Sequence, residues 1–149
     1  MSGVIDTNIL LYAANRSVPE HERARAFLRE VQSDPGVWYL TEGIAYEFLR
    51  VATHPRVFSS PLSAAEGLSF LETLLSWPGI AMLQPGPGHW ALLRRVLGSL
   101  HAPSGNILFD VRTAVLMREH GVRRIYTADT DFLQFDDLQV VNPVSPRPE

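Results

Sequence analysis

The sequence predicts an α/β fold, a three-layer α/β/α sandwich around a central, mostly parallel five-stranded sheet. Five short apolar segments alternate along the chain with about six segments of helical periodicity, and this alternation is typical of a parallel sheet covered on both faces. Two of the apolar segments end directly at an aspartate, as strands do at the ligand-binding edge of an open α/β sheet. The chain of 149 residues, 46% of them hydrophobic, is long enough to bury one core.

The first predicted strand is short and ends at an acid. Val4–Ile5 is apolar and is followed at once by Asp6, and Leu10–Ala14 continues as a short helix or turn. Beyond Pro19, apolar residues recur at helical spacing with charged residues on the other face, until the Asp-Pro-Gly triplet at 34–36 breaks the pattern. This segment is therefore predicted to be an amphipathic helix.

Capping residues predict where the next two helices begin. Trp38–Leu40 is predicted to be the second strand, and Thr41 is expected to cap a helix that runs to about residue 52. Ser63 and Glu66 have the spacing of a capping box, which predicts a helix over Ala64–Ser76.

The second half of the chain alternates strands and helices in the same way. The predicted elements are strands at Ile80–Leu83, Arg124–Thr127 and Leu138–Val141, helices at Trp90–Leu100 and Ile107–Glu119, and a short turn at Asp131–Gln134. One domain is expected over residues 1–142. The proline-rich segment 143–149 is expected to be a flexible tail.

Composition excludes several classes of site. The chain contains no cysteine, so disulfides and thiolate metal ligands are impossible. The first acid comes too early for a signal peptide, and no apolar run reaches the roughly 18 residues of a membrane span, so we expect a cytoplasmic protein. The net charge of −3 argues against wrapping by nucleic acid through bulk charge. The five histidines lack metal-ligand spacing and are expected at the surface or at helix caps.

Four acidic residues stand at predicted strand ends or on otherwise apolar helix faces. They are Asp6, Glu47, Asp110 and Asp129. Taken singly, each has a simpler explanation. Asp6 and Asp129, at the strand ends, could be helix N-caps. Glu47 could form an ion pair with Arg50 or Arg56. Asp110 could form a buried ion pair with Arg112 or another arginine. Glu42 is an alternative to Glu47 as the second of the four acids along the chain. It lies in a first helical turn, however, where the helix dipole accounts for an acidic residue.

Taken together, the acids predict a cation site. Two carboxylates about 5 Å apart repel by roughly 3 kcal/mol at an effective dielectric constant near 20. A pocket that contains four of them therefore either takes up protons or binds a cation. Oxygen ligands without histidine or cysteine favour Mg²⁺ or Mn²⁺. Such ions accept phosphate oxygens and lower the pKa of a bound water, which suits hydrolysis of a phosphodiester.

Four segments of the chain resemble the PIN-domain family and, more narrowly, the VapC-type toxins of bacterial type II toxin–antitoxin systems. The segments are Val4–Ala13, Glu47–Phe58, Gly105–Val122 and Ile125–Phe135. The resemblance implies a PIN-like fold and a Mg²⁺- or Mn²⁺-dependent endoribonuclease that cleaves RNA, such as tRNA or rRNA, to inhibit translation and growth. It also implies a homodimer and a cognate VapB-type antitoxin whose tail blocks the acidic site.

The resemblance also implies a role for each matching residue. The acidic quartet would hold the metal and carry catalysis, with Asp131 as a further acid close to the metal. Thr7, Asn8 and Thr127 would orient the carboxylates. Val111 and Arg112 follow Asp110 where the family usually has small residues, and we interpret Arg112 as a contact to an RNA phosphate. The candidate RNA contacts are Arg50, Arg56 and Arg112.

Two other functions compete with this interpretation. The first is a catalytically inactive PIN-like module that binds RNA or protein, which the intact acidic set disfavours. The second is a phosphatase or phosphotransfer domain with an aspartate nucleophile after the first strand. That class needs a second aspartate two residues on or a lysine near the pocket, whereas this chain has Asn8 there and no lysine.

Overall fold

Five parallel strands form one sheet at the centre of the molecule. The computed structural model describes residues 1–148. The strands are β1 (Gly3–Ile5), β2 (Trp38–Thr41), β3 (Ile80–Leu83), β4 (Arg124–Tyr126) and β5 (Gln139–Val141). They lie in the order β3-β2-β1-β4-β5, and all four neighbouring pairs are parallel. The predicted α/β fold is confirmed, and its sheet is wholly parallel.

Six α-helices within the described residues connect the strands. They are α1 (Thr7–Ala14), α2 (His21–Ser33), α3 (Glu42–Ala52), α4 (Ala64–Leu75), α5 (His89–Ser99) and α6 (Ile107–Glu119), and a 3₁₀ helix spans Thr130–Gln134. α1 begins at Thr7 rather than at Leu10, because the carboxylate of Asp6 accepts the Thr7 N–H at 2.8 Å and caps the helix. Among these helices, none combines the length and hydropathy needed to span a bilayer.

The strand order creates a switch point between β1 and β4. The chain moves outward from β1 to β2 and β3, and it then returns through α5 and α6 to pair β4 with the other side of β1. Open α/β sheets bind ligands at such a point, outside the carboxyl ends of the strands. Asp6 follows β1, and Thr127 and Asp129 follow β4, so the topology brings these side chains to the same edge of the sheet.

The core packs against both the sheet and the central helix α6. Val111 and the five consecutive residues 113–117 of α6 are all buried. Phe27 of α2 packs against Trp38 of β2 and Tyr126 of β4 in an aromatic cluster with ring centroids 4.8 to 5.6 Å apart. Because protein surrounds α6 along most of its length, the helix places Asp110, in its first turn, at a fixed point beside the sheet edge.

Part of the C-terminal segment packs against the domain. Val144 is only 3% exposed, and its carbonyl accepts a hydrogen bond from Arg23 Nε at 2.7 Å. The tail predicted over 143–149 therefore starts with residues that contact the fold, and the flexibility of the remainder stays a prediction. Glu149, which belongs to that predicted tail, lies outside the described residues.

Two of the five histidines are buried, and the prediction of surface or cap positions is wrong for them. His21 and His89 are each 8% exposed. The Nδ1 atom of His21 lies 2.9 Å from the carbonyl oxygen of Tyr12, and Nδ1 of His89 lies 2.7 Å from Oε2 of Glu119. Both partners come from other helices, so local sequence patterns could not reveal them.

Replacement of Thr41 by valine is expected to lower the free energy of unfolding by about 1–2 kcal/mol. The Thr41 hydroxyl accepts the N–H of Ile44 at 3.1 Å at the start of α3, and both residues are buried. Valine keeps the shape but leaves that amide without an acceptor. Urea denaturation measures the change. Thr41→Ser keeps the hydroxyl and is the matched control, so equal destabilisation by the two substitutions would contradict the capping role.

Candidate metal centre

Three aspartates lie close enough to share one cation. Asp110, Asp129 and Asp131 each place one carboxylate oxygen within 4.8 Å of the other two. Asp129 is the N-cap of the 3₁₀ helix, and its Oδ1 accepts the N–H of Asp131 at 2.9 Å. This cap fixes the turn that carries both residues, while the first turn of α6 supplies the third acid.

Asp6 is the buried acid of the site. It is 7% exposed. Its Oδ1 accepts the Thr7 N–H at 2.8 Å, and its Oδ2 accepts the Thr127 hydroxyl at 2.7 Å and Asn8 Nδ2 at 3.1 Å. These donors are uncharged, so they hold the carboxylate in place while leaving its negative charge available to a cation.

Thr127 and Asn8 join the end of β1 to the end of β4. The Thr127 hydroxyl oxygen accepts hydrogen bonds from Asn8 Nδ2 at 2.9 Å and from the Asp129 N–H at 3.0 Å. The amide oxygen of Asn8 accepts the Ala128 N–H at 3.0 Å. Thr7, Asn8 and Thr127, the residues expected to orient the carboxylates, thus all donate hydrogen bonds to Asp6. The Thr127 hydroxyl also accepts the Asp129 N–H, so these hydrogen bonds set the position of Asp6 relative to Asp129.

Glu47 lies at the exposed side of the site. Its Oε2 accepts the Thr7 hydroxyl at 3.3 Å. Its charge contributes to the raised pKa of Asp6 and to that of Asp110, whereas Glu42 is not among the causes for either group. Both glutamates line the groove between α3 and α6, and Glu47 is the one that contacts Thr7, the residue next to Asp6. Within residues 1–148 no ion pair joins Glu47 to an arginine.

Two of the acids hold their protons unusually tightly. Burial raises the pKa of Asp6 from its usual 3.8 to about 6, although hydrogen bonds from Thr127 and Thr7 act in the opposite direction. Burial also raises the pKa of Asp110 from 3.8 to about 7, and the charges of Asp6 and Asp129 add to the effect. Loss of solvation and repulsion between like charges thus act together here.

A groove between α3 and α6 has a cavity volume of about 440 Å³. Its acidic lining residues are Asp6, Glu42, Glu47 and Asp110, whereas Asp129 and Asp131 are not among the residues that line it. Arg50 and Arg112 line this groove too, and Arg56 is not among its lining residues. Arg112 rests against Gly43, where an added Cβ would collide with Nη1 of the arginine. The ion pair between Asp110 and Arg112, considered as an alternative above, does not occur among the described residues.

Comparison with known proteins assigns the chain to a family. The PIN domain matches residues 3–138. The chain belongs to the PIN-domain family. It is 32% identical over 145 residues to Ribonuclease VapC48 of Mycobacterium tuberculosis, a match that covers 97% of this chain and 99% of the relative. It is 33% identical over 139 residues to Ribonuclease VapC33 of the same organism, with 93% and 96% covered. The recognition as a VapC-type PIN protein is confirmed.

The fold of this PIN domain also matches solved structures. VapBC2 from Rickettsia felis, bound to a DNA fragment from its promoter, superposes with a TM-score of 0.66 at 16% identity, covering 94% of this chain and 97% of that chain. At this level of identity the likeness shows the shared fold. It agrees with the five-stranded parallel sheet described above.

The donor set of this PIN domain fits a hard divalent cation. The three close ligand atoms, from Asp110, Asp129 and Asp131, are all carboxylate oxygens, the donors that Mg²⁺ and Mn²⁺ prefer. Among the described residues no histidine joins this group. Burial is the main cause of the raised pKa values of Asp6 and Asp110, about 6 and about 7, and a cation bound beside them would favour their ionised forms.

Two groove residues were missed by the sequence reasoning. Tyr46 and Phe109 line the acidic groove, are each 66% exposed, and immediately precede Glu47 and Asp110. Tyr46 lies off the buried face of α3, which Ile44, Phe48 and Ala52 form, so helical periodicity could have predicted that its ring is exposed. Phe109 stands in an apolar run at 107–109, which gave no sign that its ring faces solvent.

The stability of the metal-free protein is expected to fall as pH rises from about 4 to about 7. Asp6 and Asp110 bind protons more tightly in the folded state, because burial raises their pKa values from 3.8 to about 6 and about 7, so their ionisation favours unfolding. Asp110→Asn removes one of these titrations and should reduce the fall. Melting temperatures in EDTA across this pH range measure it.

The exposed Asp136 provides the matched control for that experiment. Asp136→Asn makes the same chemical change outside the acidic site, and its profile should follow that of the unmodified protein. A decline in melting temperature that is equally steep in Asp110→Asn would contradict the raised pKa of Asp110.

Proposed function

We propose that this PIN-domain protein is a Mg²⁺- or Mn²⁺-dependent endoribonuclease and the toxin of a toxin–antitoxin pair. Cleavage of tRNA or rRNA would inhibit translation and growth. The observation that carries the proposal is the cluster of Asp110, Asp129 and Asp131, whose member Asp110 lines the same groove as the buried Asp6. The relatives at 32% and 33% identity are named ribonucleases, which supports the same activity.

The residues of the site would have different roles in metal binding and hydrolysis. Asp110, Asp129 and Asp131 would hold the cation, together with Asp6, and Glu47 would contribute from the exposed side. A bound divalent cation supplies positive charge at the phosphate and lowers the pKa of the attacking water. The hydrogen bonds of Thr7, Asn8 and Thr127 keep the carboxylates oriented as ligands. Histidine is not needed as a general base in this scheme.

We also propose a cognate VapB-type antitoxin, a homodimer and a cytoplasmic location. The structural relative VapBC2 is an assembly bound to promoter DNA, which supports a partner of the same kind for this chain. The groove between α3 and α6 is open, so a segment of such a partner has access to the acids. Residues 1–142 would act as the single nuclease domain.

Asp129→Asn is expected to reduce cleavage of total cellular RNA by at least ~100-fold, because it removes a ligand from the carboxylate cluster. Purified protein free of antitoxin is incubated with RNA and Mg²⁺ or Mn²⁺, and the fragments are separated on a gel. EDTA should abolish the same fragments. Asp136→Asn is the matched control, since it makes the same change at an exposed acid outside the cluster.

Two results of this assay would contradict the proposal. Cleavage by Asp129→Asn at the rate of the unmodified protein would show that the cluster is not the catalytic site. Absence of both cleavage and Mn²⁺ binding in the unmodified protein would favour the inactive binding module instead.

Arg112→Ala is expected to raise KM for RNA by about tenfold and to reduce the slope of log KM against log salt concentration by about 0.7. The reason is that Arg112 lines the acidic groove and has no carboxylate partner among residues 1–148. Cleavage kinetics at several salt concentrations provide both quantities. Arg29→Ala is the control, because Arg29 is an exposed arginine of α2 outside the groove lining. Equal effects of the two substitutions would contradict a specific phosphate contact.

A further inference from the structure

A separate cavity lies at the end of the sheet opposite the acids, where β1, β2, β4 and β5 begin. It has a volume of about 580 Å³, and its lining comes from the amino ends of these strands and from the carboxyl end of α6. His120, which lines it, follows Asp110 by ten residues along α6. At a rise of about 1.5 Å per residue, the cavity is therefore about 15 Å from that acid.

Basic and neutral polar side chains line this cavity, which is named here the strand-start cavity. They include Arg123, Arg124, His120 and Gln139, and among the described residues no aspartate or glutamate lines it. Pockets that bind small molecules have volumes of roughly 300–1,000 Å³. The strand-start cavity is thus large enough for a small ligand, and its charge favours an anion.

The two arginines keep their charge available. Arg123 is exposed and Arg124 is half-buried, and within residues 1–148 neither forms an ion pair with an acid. Arg124 Nε donates a hydrogen bond to Oε1 of Gln139 at 3.0 Å. This acceptor is uncharged, so it holds the side chain without neutralising the guanidinium.

Acids near this end of the sheet already have partners. Arg118 holds the carboxylate of Asp137 with hydrogen bonds of 2.7 and 2.6 Å, and this contact, more than the charge of Arg123, keeps the pKa of Asp137 low. The carboxylate of Asp34 accepts hydrogen bonds from the terminal amine at 3.3 Å and from Trp38 Nε1 at 2.9 Å. These contacts leave a net positive charge for a ligand.

The carboxyl end of α6 would disfavour an anion if its last carbonyl groups were free. Instead, the N–H groups of Gly121 and Val122 donate to the carbonyl oxygens of Arg118 and Met117 at 3.3 and 2.9 Å. Gly121 has a φ of 67°, the left-handed conformation that closes many helices in this way. The cap reduces the negative potential that the helix end would otherwise place beside the cavity.

An aromatic ring lines the strand-start cavity beside these charges. Tyr39 of β2 and the 45% exposed Val37 both contribute to the lining. Guanidinium groups bind phosphate through paired hydrogen bonds, and nucleobases stack on aromatic side chains. A nucleoside monophosphate offers both groups in one small molecule.

We propose that the strand-start cavity binds a nucleoside monophosphate, with its phosphate on Arg123 and Arg124 and its base against Tyr39. The site is separate from the acidic groove, and the inference does not depend on the proposed nuclease function. Asp129→Asn, which alters the acidic site, should bind the nucleotide as the unmodified protein does.

The test is an NMR titration of the full-length, nitrogen-15-labelled protein with adenosine monophosphate. EDTA is present, so that no metal occupies the acidic site. Amide signals of Gly36, Gly121 and Val122, which line the cavity, should shift. Those of Ala128 and Asp129, next to the acids, should not. Inorganic phosphate and adenosine should each bind at least about tenfold more weakly, because each supplies only one of the two groups.

Substitutions at the cavity separate the two contacts. Arg123→Gln removes a charge at an exposed position and should weaken binding of adenosine monophosphate about tenfold. Tyr39→Leu removes the ring and should weaken binding of the nucleotide but not of inorganic phosphate. Arg29→Gln is the matched control, since it makes the same change at an exposed arginine of α2 that does not line the cavity. Melting temperatures establish that each variant is folded.

Three outcomes would overturn the inference. The first is the absence of shifts at the cavity amides up to about 10 mM nucleotide. The second is equal affinity for adenosine monophosphate and inorganic phosphate, which would show an anion site that does not recognise a base. The third is tighter binding of a short oligouridylate that Arg123→Gln abolishes, because the arginines would then contact the phosphates of an RNA chain instead of a small ligand.

Discussion

Repulsion among carboxylates at the carboxyl ends of β1 and β4 is the constraint on which the rest of the site depends. Three aspartates lie within 4.8 Å of one another, and the buried Asp6 adds to the raised pKa of Asp110. None of these acids forms an ion pair with an arginine within residues 1–148. The surrounding fold must therefore hold these carboxylates together against their mutual repulsion, which a bound cation would offset.

Packed secondary structure and uncharged hydrogen-bond donors hold the acids in position against this repulsion. The buried helix α6 fixes Asp110, a cap fixes the turn of Asp129, and the Thr127 hydroxyl joins Asp6 to that turn. A cationic partner in place of these donors would neutralise the acids and compete with the metal. Arg112 instead rests against Gly43, where no side chain blocks it, and so stays in the groove without pairing with an acid. Under the proposed function, the Arg112 guanidinium would therefore be available to contact a phosphate rather than to neutralise the acids.

The parts of the fold that follow from local chemistry were predictable from the sequence. Capping by Thr41 and the capping box of Ser63 and Glu66 occur as the residue types predict, because both depend on contacts within one helical turn. The burial of His89 and the exposure of Phe109 were not predictable, since each depends on packing between elements distant in the chain. The sequence predicted that Asp6, Asp110 and Asp129 share one site, but it did not predict the strand order that places β4 beside β1 and so brings Asp129 near Asp6.

Anomalous diffraction from crystals grown with Mn²⁺ tests the central claim most directly, because it locates the cation without relying on activity or on a known RNA target. We expect an anomalous peak within bonding distance of carboxylate oxygens of Asp110 and Asp129, with Asp131 and Asp6 around it. Its occupancy should fall sharply in Asp129→Asn crystals. Absence of a peak at saturating Mn²⁺, or a peak only at another place such as the His89–Glu119 pair, would show that the aspartate cluster is not a metal site.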